Sequence, residues 1–207
     1  MMRLTDLTGL AGIASLIAAW VLQLPRVKRL PKHYLAMLAA AVLIVSLIPF
    51  NGLPLAGYVR GMVGDLSITT MVLLWVALLQ PCCAATELEH RDRLLMLVAA
   101  AALFLYPMTL GMSLYDPYRM GYGNAVFVAV VLVIASAAWL LRYFLIALCL
   151  ALATLAWSLG WYESTNLWDD LLDPLVAVYA LGALLRLGIN KHRVFGAKSN
   201  RQRLSVD

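Results

Sequence analysis

Charge is scarce in this chain. Of its 207 residues only 13% are Asp, Glu, Lys or Arg and 63% are hydrophobic, whereas an average soluble domain is about a quarter charged and about half apolar. That composition argues against a soluble domain and for a membrane protein. Cysteine and histidine are scarce too, at three residues each. Cys82 and Cys83 fall near the end of one apolar run and Cys149 inside another, so no pair is expected on an oxidising face, and small packing residues are the simpler reading. His33, His90 and His192 sit beside Lys and Arg without the H-E-x-x-H or related spacing of a metal site. The G-x-S-x-G, P-loop and G-x-G-x-x-G signatures are missing as well. A further shortage concerns depth: no carboxylate, histidine or base lies well inside an apolar run, with Asp173 and Arg186 the nearest approaches. Ion-coupled transport normally needs such a group, so that class is disfavoured.

Long apolar runs are what the chain does have. A helix crossing a hydrocarbon core of about 30 Å needs roughly 17 to 25 residues, and seven runs meet this at about Leu7–Leu24, Tyr34–Phe50, Leu66–Ala85, Leu94–Met112, Ala125–Leu141, Tyr143–Trp161 and Leu171–Ile189. They are apolar on every face rather than alternating, which argues against a β-barrel and for helices. The fold expected is all-α, a polytopic transmembrane bundle of about seven helices over residues 1–190, followed by a basic tail at 191–207. The first run is expected to be retained rather than cleaved as a signal, because its cations follow it in PRVKRLPKH and no A-x-A site appears.

The cations orient the bundle. Thirteen Lys and Arg residues, among them Arg26, Lys28, Arg29, Lys32, Arg91, Arg93, Arg142, Arg186 and the tail from Lys191 to Arg203, fall on one side of the seven runs, and Arg3, Arg60 and Arg119 on the other. The positive-inside rule then sets the N-terminus outside and the C-terminus in the cytoplasm. The net charge of +5 follows from that rule and implies no nucleic-acid partner. TELEHRDR reads as a solvated cytoplasmic connection. A retinal-type Schiff base is excluded because VAVYALGALLRLGI holds no lysine.

On the expected outer face, four runs begin just after Asp or Asn: Asp6, Asp65, Asn124 and Asp173. Each is expected to cap a helix and to suit its positive dipole end; Pro174 after Asp173 strengthens that reading. Arg60 is different, since a cation near a helix N-terminus on the cation-poor side needs something to hold it. Arg60 and Arg119 stand 59 residues apart, each in an R-x-x-x-G-[DN] string ending at Asp65 or Asn124, an echo that fits a duplicated helical hairpin or chance. Two readings of these arginines compete. One pairs them with Asp116, Glu163 or the Asp169–Asp173 group and so ties loops together; the other makes Arg60 and Arg119 an anion or headgroup site.

WYESTNLWDDLLDPL carries Glu163, Asp169, Asp170 and Asp173. On a continuous helix Asp173 lies one turn from Asp169 and Asp170, so three carboxylates can converge for Mg²⁺ or Ca²⁺ binding or for acid–base work. No calcium-loop spacing is present, and Asn166 with Asp169 resembles a capping box, so structure outranks metal. Trp161, Tyr162, Trp168, Tyr106, Tyr115, Tyr118 and Tyr122 are expected as interfacial anchors. Ser46, Thr69, Thr70, Ser136, Thr154 and Ser158 can bond back to their own helices or to a neighbour.

The expected function is that of a multi-pass protein of a bacterial-type cytoplasmic (inner) membrane, non-enzymatic or accessory and without a cofactor. Membrane lipids, a lipid-linked glycan or an envelope-assembly protein would be engaged through its outer loops. The alternatives are a membrane-embedded enzyme acting on a lipid phosphate headgroup, and a small-solute or lipid transporter.

Overall fold

A computed structural model describes residues 4–79 and 88–203, with side chains described for 6–79 and 91–188. The chain is 78% helical, as an all-α protein should be. Seven apolar helices fall on the seven expected runs: α1 (Leu4–Leu22), α2 (Lys32–Leu47), α4 (Ile68–Leu79), α5 (Leu88–Pro107), α6 (Ala125–Leu140), α7 (Phe144–Ser158) and α9 (Pro174–Arg203). Among the described residues one stretch, Arg91–Met112, is both long and apolar enough to cross a membrane; the other apolar helices have 10–17 such residues. Cys82, Cys83 and Glu87 lie outside the described residues, and so do the side chains of His90, His192 and the tail. The α9 backbone runs unbroken through residue 190 to Arg203.

Two short helices were not anticipated: α3 (Leu55–Val63) and α8 (Leu167–Leu171) fill the connections before α4 and α9. A small hairpin precedes α3, with Pro49 opposite Pro54 and Phe50 opposite Leu53. Its turn is Asn51-Gly52, both at positive φ (52° and 94°), the dipeptide that a type I′ turn demands. The signal was present in the sequence as FNGLP. Pro107 closes α5 and the chain continues through a widened π-type turn, Met108–Met112, in which Gly111 adopts φ 90°. Proline's missing N–H cannot continue the regular ladder.

The α6–α7 connection shows why neighbouring helices lie antiparallel. Arg142 adopts φ 61°, and the Tyr143 N–H bonds back to the Ala138 carbonyl at 2.8 Å, the wide closing bond of a Schellman turn. Gly160 ends α7 in the same way at φ 59°, with Trp161 N–H on Ala156 O. Small residues then let helices approach: Ile13, Ala14, Ala56 and Leu66 form one core among α1, α3 and α4, while Leu95, Val98, Ala102, Ala147, Val176 and Ala180 form a larger one among α5, α7 and α9. Phe127, Val131 and Leu167 make a third between α6 and α8. Ser46, Ser136, Thr154 and Ser158 satisfy their hydroxyls on carbonyls of their own helices, as expected of hydroxyls in apolar surroundings.

Arg91 and Arg93 belong to α5 rather than to a solvated connection. Arg91 donates to the Tyr179 hydroxyl, and Arg93 stands over the Tyr143 ring at 4.6 Å, within the range of a cation–π contact.

Candidate functional site

Among the described residues nine polar side chains are buried, and one end of the bundle gathers five of them, both carboxylates included: Ser67, Thr70, Asn166, Asp170 and Asp173. Asp173 joins α4 to α9. Its Oδ1 accepts the Val176 N–H at 2.8 Å, so it caps α9 ahead of Pro174 as the sequence implies. Its Oδ2 accepts the Ser67 N–H at 2.8 Å and the Thr70 hydroxyl at 2.5 Å. One carboxylate thus serves the first turns of two helices, α4 and α9, where partial positive charge accumulates.

This arrangement corrects the reading of Asp65. Helix α4 starts at Ile68, and its free Thr70 N–H is met by the Ser67 hydroxyl at 3.2 Å, so Asp65 stands too far back to cap it. Asp65 instead holds Arg60: Nε on Oδ1 at 2.5 Å and Nη2 on Oδ2 at 2.9 Å, a two-pronged carboxylate–guanidinium pair. Arg60 Nη1 also reaches Asp6 at 3.2 Å. Asp6 sits inside the first turn of α1, which begins at Leu4, rather than before the helix. Asp65 keeps the Arg60 guanidinium even more firmly protonated than usual. Gly9 makes the approach of α1 possible, because a Cβ there would come within 2.5 Å of both Arg60 Nε and Asp65 Oδ1. The partners expected for Arg60, namely Asp116, Glu163 and the Asp169–Asp173 group, are not the ones it has.

Asn124 caps α6 as expected, accepting the N–H groups of Val126 and Phe127 at 2.9 and 3.1 Å. Arg119 lies in a 3₁₀ turn, Pro117–Gly121. It is exposed and has no ion pair among the described residues.

The three aspartates of WYESTNLWDDLLDPL do not share one helix face. Leu172 is extended (φ −146°, ψ 128°) and separates α8 from α9, so Asp173 is not on the helix that carries Asp169 and Asp170. Asp169 accepts both the Tyr118 hydroxyl at 2.9 Å and the Ser164 hydroxyl at 2.5 Å. Asp170 is 1% exposed and neither of its oxygens has a hydrogen-bond partner. Burial, and then the neighbouring Asp169, pushes the Asp170 carboxyl up to about 7. Among the described residues no group of three His, Cys, Asp or Glu is placed to hold a metal ion.

Asn166 begins α8, accepting the Trp168 N–H at 3.0 Å, and its own N–H goes to the Ser164 hydroxyl. Asp169 does not reach back to it, so the box is not reciprocal. Asn166 Nδ2 donates to Tyr118 O, and Trp168 Nε1 donates to Pro117 O, both at 3.0 Å. These bonds stitch α8 to the 3₁₀ turn. Trp168 and Tyr118 are therefore structural cross-links more than anchors, whereas Trp161, Tyr115 and Tyr122 are exposed. Gly121 packs so closely on the Asn166 amide that a Cβ has no room. Sequence reasoning missed this pair, whose only trace is the GYGN string.

Two clefts flank the α8–α9 junction and share Asp169, Leu172 and Pro174. The first, about 310 Å³, adds Asp65, Tyr162, Glu163, Ser164 and Asp173; the second, about 270 Å³, adds Leu105, Tyr106, Thr109 and Tyr118. Burial, and then Asp170, pushes the Tyr162 phenol well above its ordinary range, so it is a neutral donor in the first cleft. No known protein family, characterised protein or solved structure matches the chain.

Proposed function

We propose that this is a multi-pass protein of a bacterial-type cytoplasmic membrane, with seven transmembrane helices and the polar end outside. It acts as a non-enzymatic or accessory component whose outer clefts take the headgroup of an envelope lipid or lipid-linked glycan. The observation that carries the reading is the contrast between apolar outward faces and the buried polar cluster gathered at one end. Ile44, Leu103, Val126, Val133, Leu140, Val178 and Leu185 are all more than half exposed, and large apolar side chains exposed in such number mark a face that meets lipid or a partner.

Helices α2 and α6 have 16 residues each, about 24 Å at 1.5 Å per residue. A core of about 30 Å is then matched by the flanking apolar residues and by slight thinning of the bilayer. The excess of Lys and Arg at the opposite end supports the orientation.

Arg60 is taken up by Asp65 and Asp6, so the groups facing the first cleft are Tyr162, Ser164 and carboxylates. That set favours a headgroup rich in hydroxyls or amines over a bare phosphate. Native mass spectrometry of the gently solubilised protein tests this, wild type beside Glu163→Gln/Tyr162→Phe. A lipid retained by the wild type and depleted at least about tenfold in the double variant, a loss of 1.4 kcal/mol or more, is the expected result. Equal retention, or no lipid in either sample, contradicts the reading.

A further inference from the structure

Asp170 is a buried acid without a hydrogen-bond partner among the described residues. Its carboxyl is 1% exposed, and both oxygens lack any hydrogen-bond partner, although buried polar atoms in folded proteins are almost always paired. Among the described residues the surrounding elements offer no buried cation. Helix α8 packs on α7, α4, the Pro117–Gly121 turn and α6, the last of which carries no titratable side chain. Across Ile68–Leu79 α4 has no titratable side chain, and α7 has only the Cys149 thiol. The turn brings Tyr118 and exposed Arg119, segment 161–166 brings Tyr162 and Glu163, and the same strand of chain brings Asp169 and Asp173. Asp173 is already bonded to Ser67 and Thr70, and Asp169 to Tyr118 and Ser164. Every carboxylate in this set repels a second negative charge.

We infer that Asp170 is a proton-binding site at this end of the molecule, keeping its proton while α8 is docked and displacing α8 when the proton leaves. An unpaired carboxylate in a dry site must regain water or move. Helix α8 is five residues long; Leu167 packs on Phe127 and Val131, and Asn166 on Tyr118 O and Trp168 on Pro117 O bond it to the turn. Its displacement moves Asp169 and Leu172, which line both clefts. Loss of a proton to solvent thereby reshapes the two clefts together.

The sign of the pH dependence follows. The folded-state pKa, about 7, lies above the ordinary 3.8, so the folded protein binds the proton more tightly than the unfolded chain does. Stability is highest below pH 4, falls as the pH rises from about 4 to 7, and is flat above that as far as this group is concerned.

Hydrogen exchange of segment 164–172 in the full-length protein, held in lipid nanodiscs and corrected for intrinsic pH dependence, reads the effect directly. The wild type should lose protection at least about tenfold between pH 5 and pH 9, while Asp170→Asn and Asp170→Leu stay flat at the protected level. A variant with the wild-type pH profile overturns the proposal, and so does a wild type whose protection does not change. Should neither variant fold, the infrared carbonyl band of protonated carboxyl in the wild type decides: present at pH 5.5 and lost with a midpoint near 7 upholds it, absent at pH 5.5 overturns it.

Discussion

The strings RGMVGD and RMGYGN invite comparison, since each is R-x-x-x-G-[DN] and each precedes an apolar helix. Their backbones agree at the glycine, where Gly64 has φ 84° and Gly123 φ 79°. There the likeness ends. In the first, Arg60 closes α3 and is gripped by Asp65 and Asp6, while Ser67 rather than Asp65 caps the helix that follows. In the second, Arg119 is exposed and Asn124 does the capping. The difference lies in one side chain: a carboxylate beside a guanidinium forms a two-pronged pair, whereas a neutral amide is left to serve the backbone. A sequence echo can therefore preserve a turn without preserving what the turn does.

Four experiments break or sharpen this comparison. The largest effect is expected in the second loop from Gly121→Ala, whose Cβ displaces the Asn166 amide and unstitches α8; a loss of about 3 kcal/mol is anticipated, as for severe overpacking, read by thermal unfolding in detergent. At the first loop, Gly9→Ala in the facing α1 and Arg60→Ala should each remove about 2 kcal/mol, the range of hydrogen bonds to charged groups. Their double variant should add little, because both strike the same ion pair. Asn124→Ala should lose about 1 kcal/mol through its cap, and Asp65→Ala should fray α4 far less in hydrogen exchange. Arg119→Ala is expected to be the mildest, within about 0.5 kcal/mol; a loss matching that of Arg60→Ala would erase the distinction between the loops.

Helix positions were legible because apolar runs of 16 or more residues admit few alternatives in this composition. Asn124, and Asp173 with Pro174, could be read as caps because capping chemistry is local. Arg60 was legible as an anomaly but its partners were not, since Asp6 lies 54 residues away and only the packing of Gly9 shows that α1 comes there. Leu172 was opaque: nothing in WDDLLDPL other than Pro174 marks the break, so the three carboxylates looked contiguous. The isolation of Asp170 is invisible from sequence, because lacking a partner is a property of every element around it at once.

The most direct test of the account is the sidedness of introduced cysteines in intact cells, using a membrane-impermeant maleimide on a variant in which Cys82, Cys83 and Cys149 are replaced by Ala. Met62→Cys and Leu114→Cys, both highly exposed at the polar end, should label without permeabilisation. Lys28→Cys and Arg142→Cys should label only after it. Labelling of all four in intact cells, or recovery of the protein in the soluble fraction, would contradict a seven-helix membrane bundle with its polar clefts facing out.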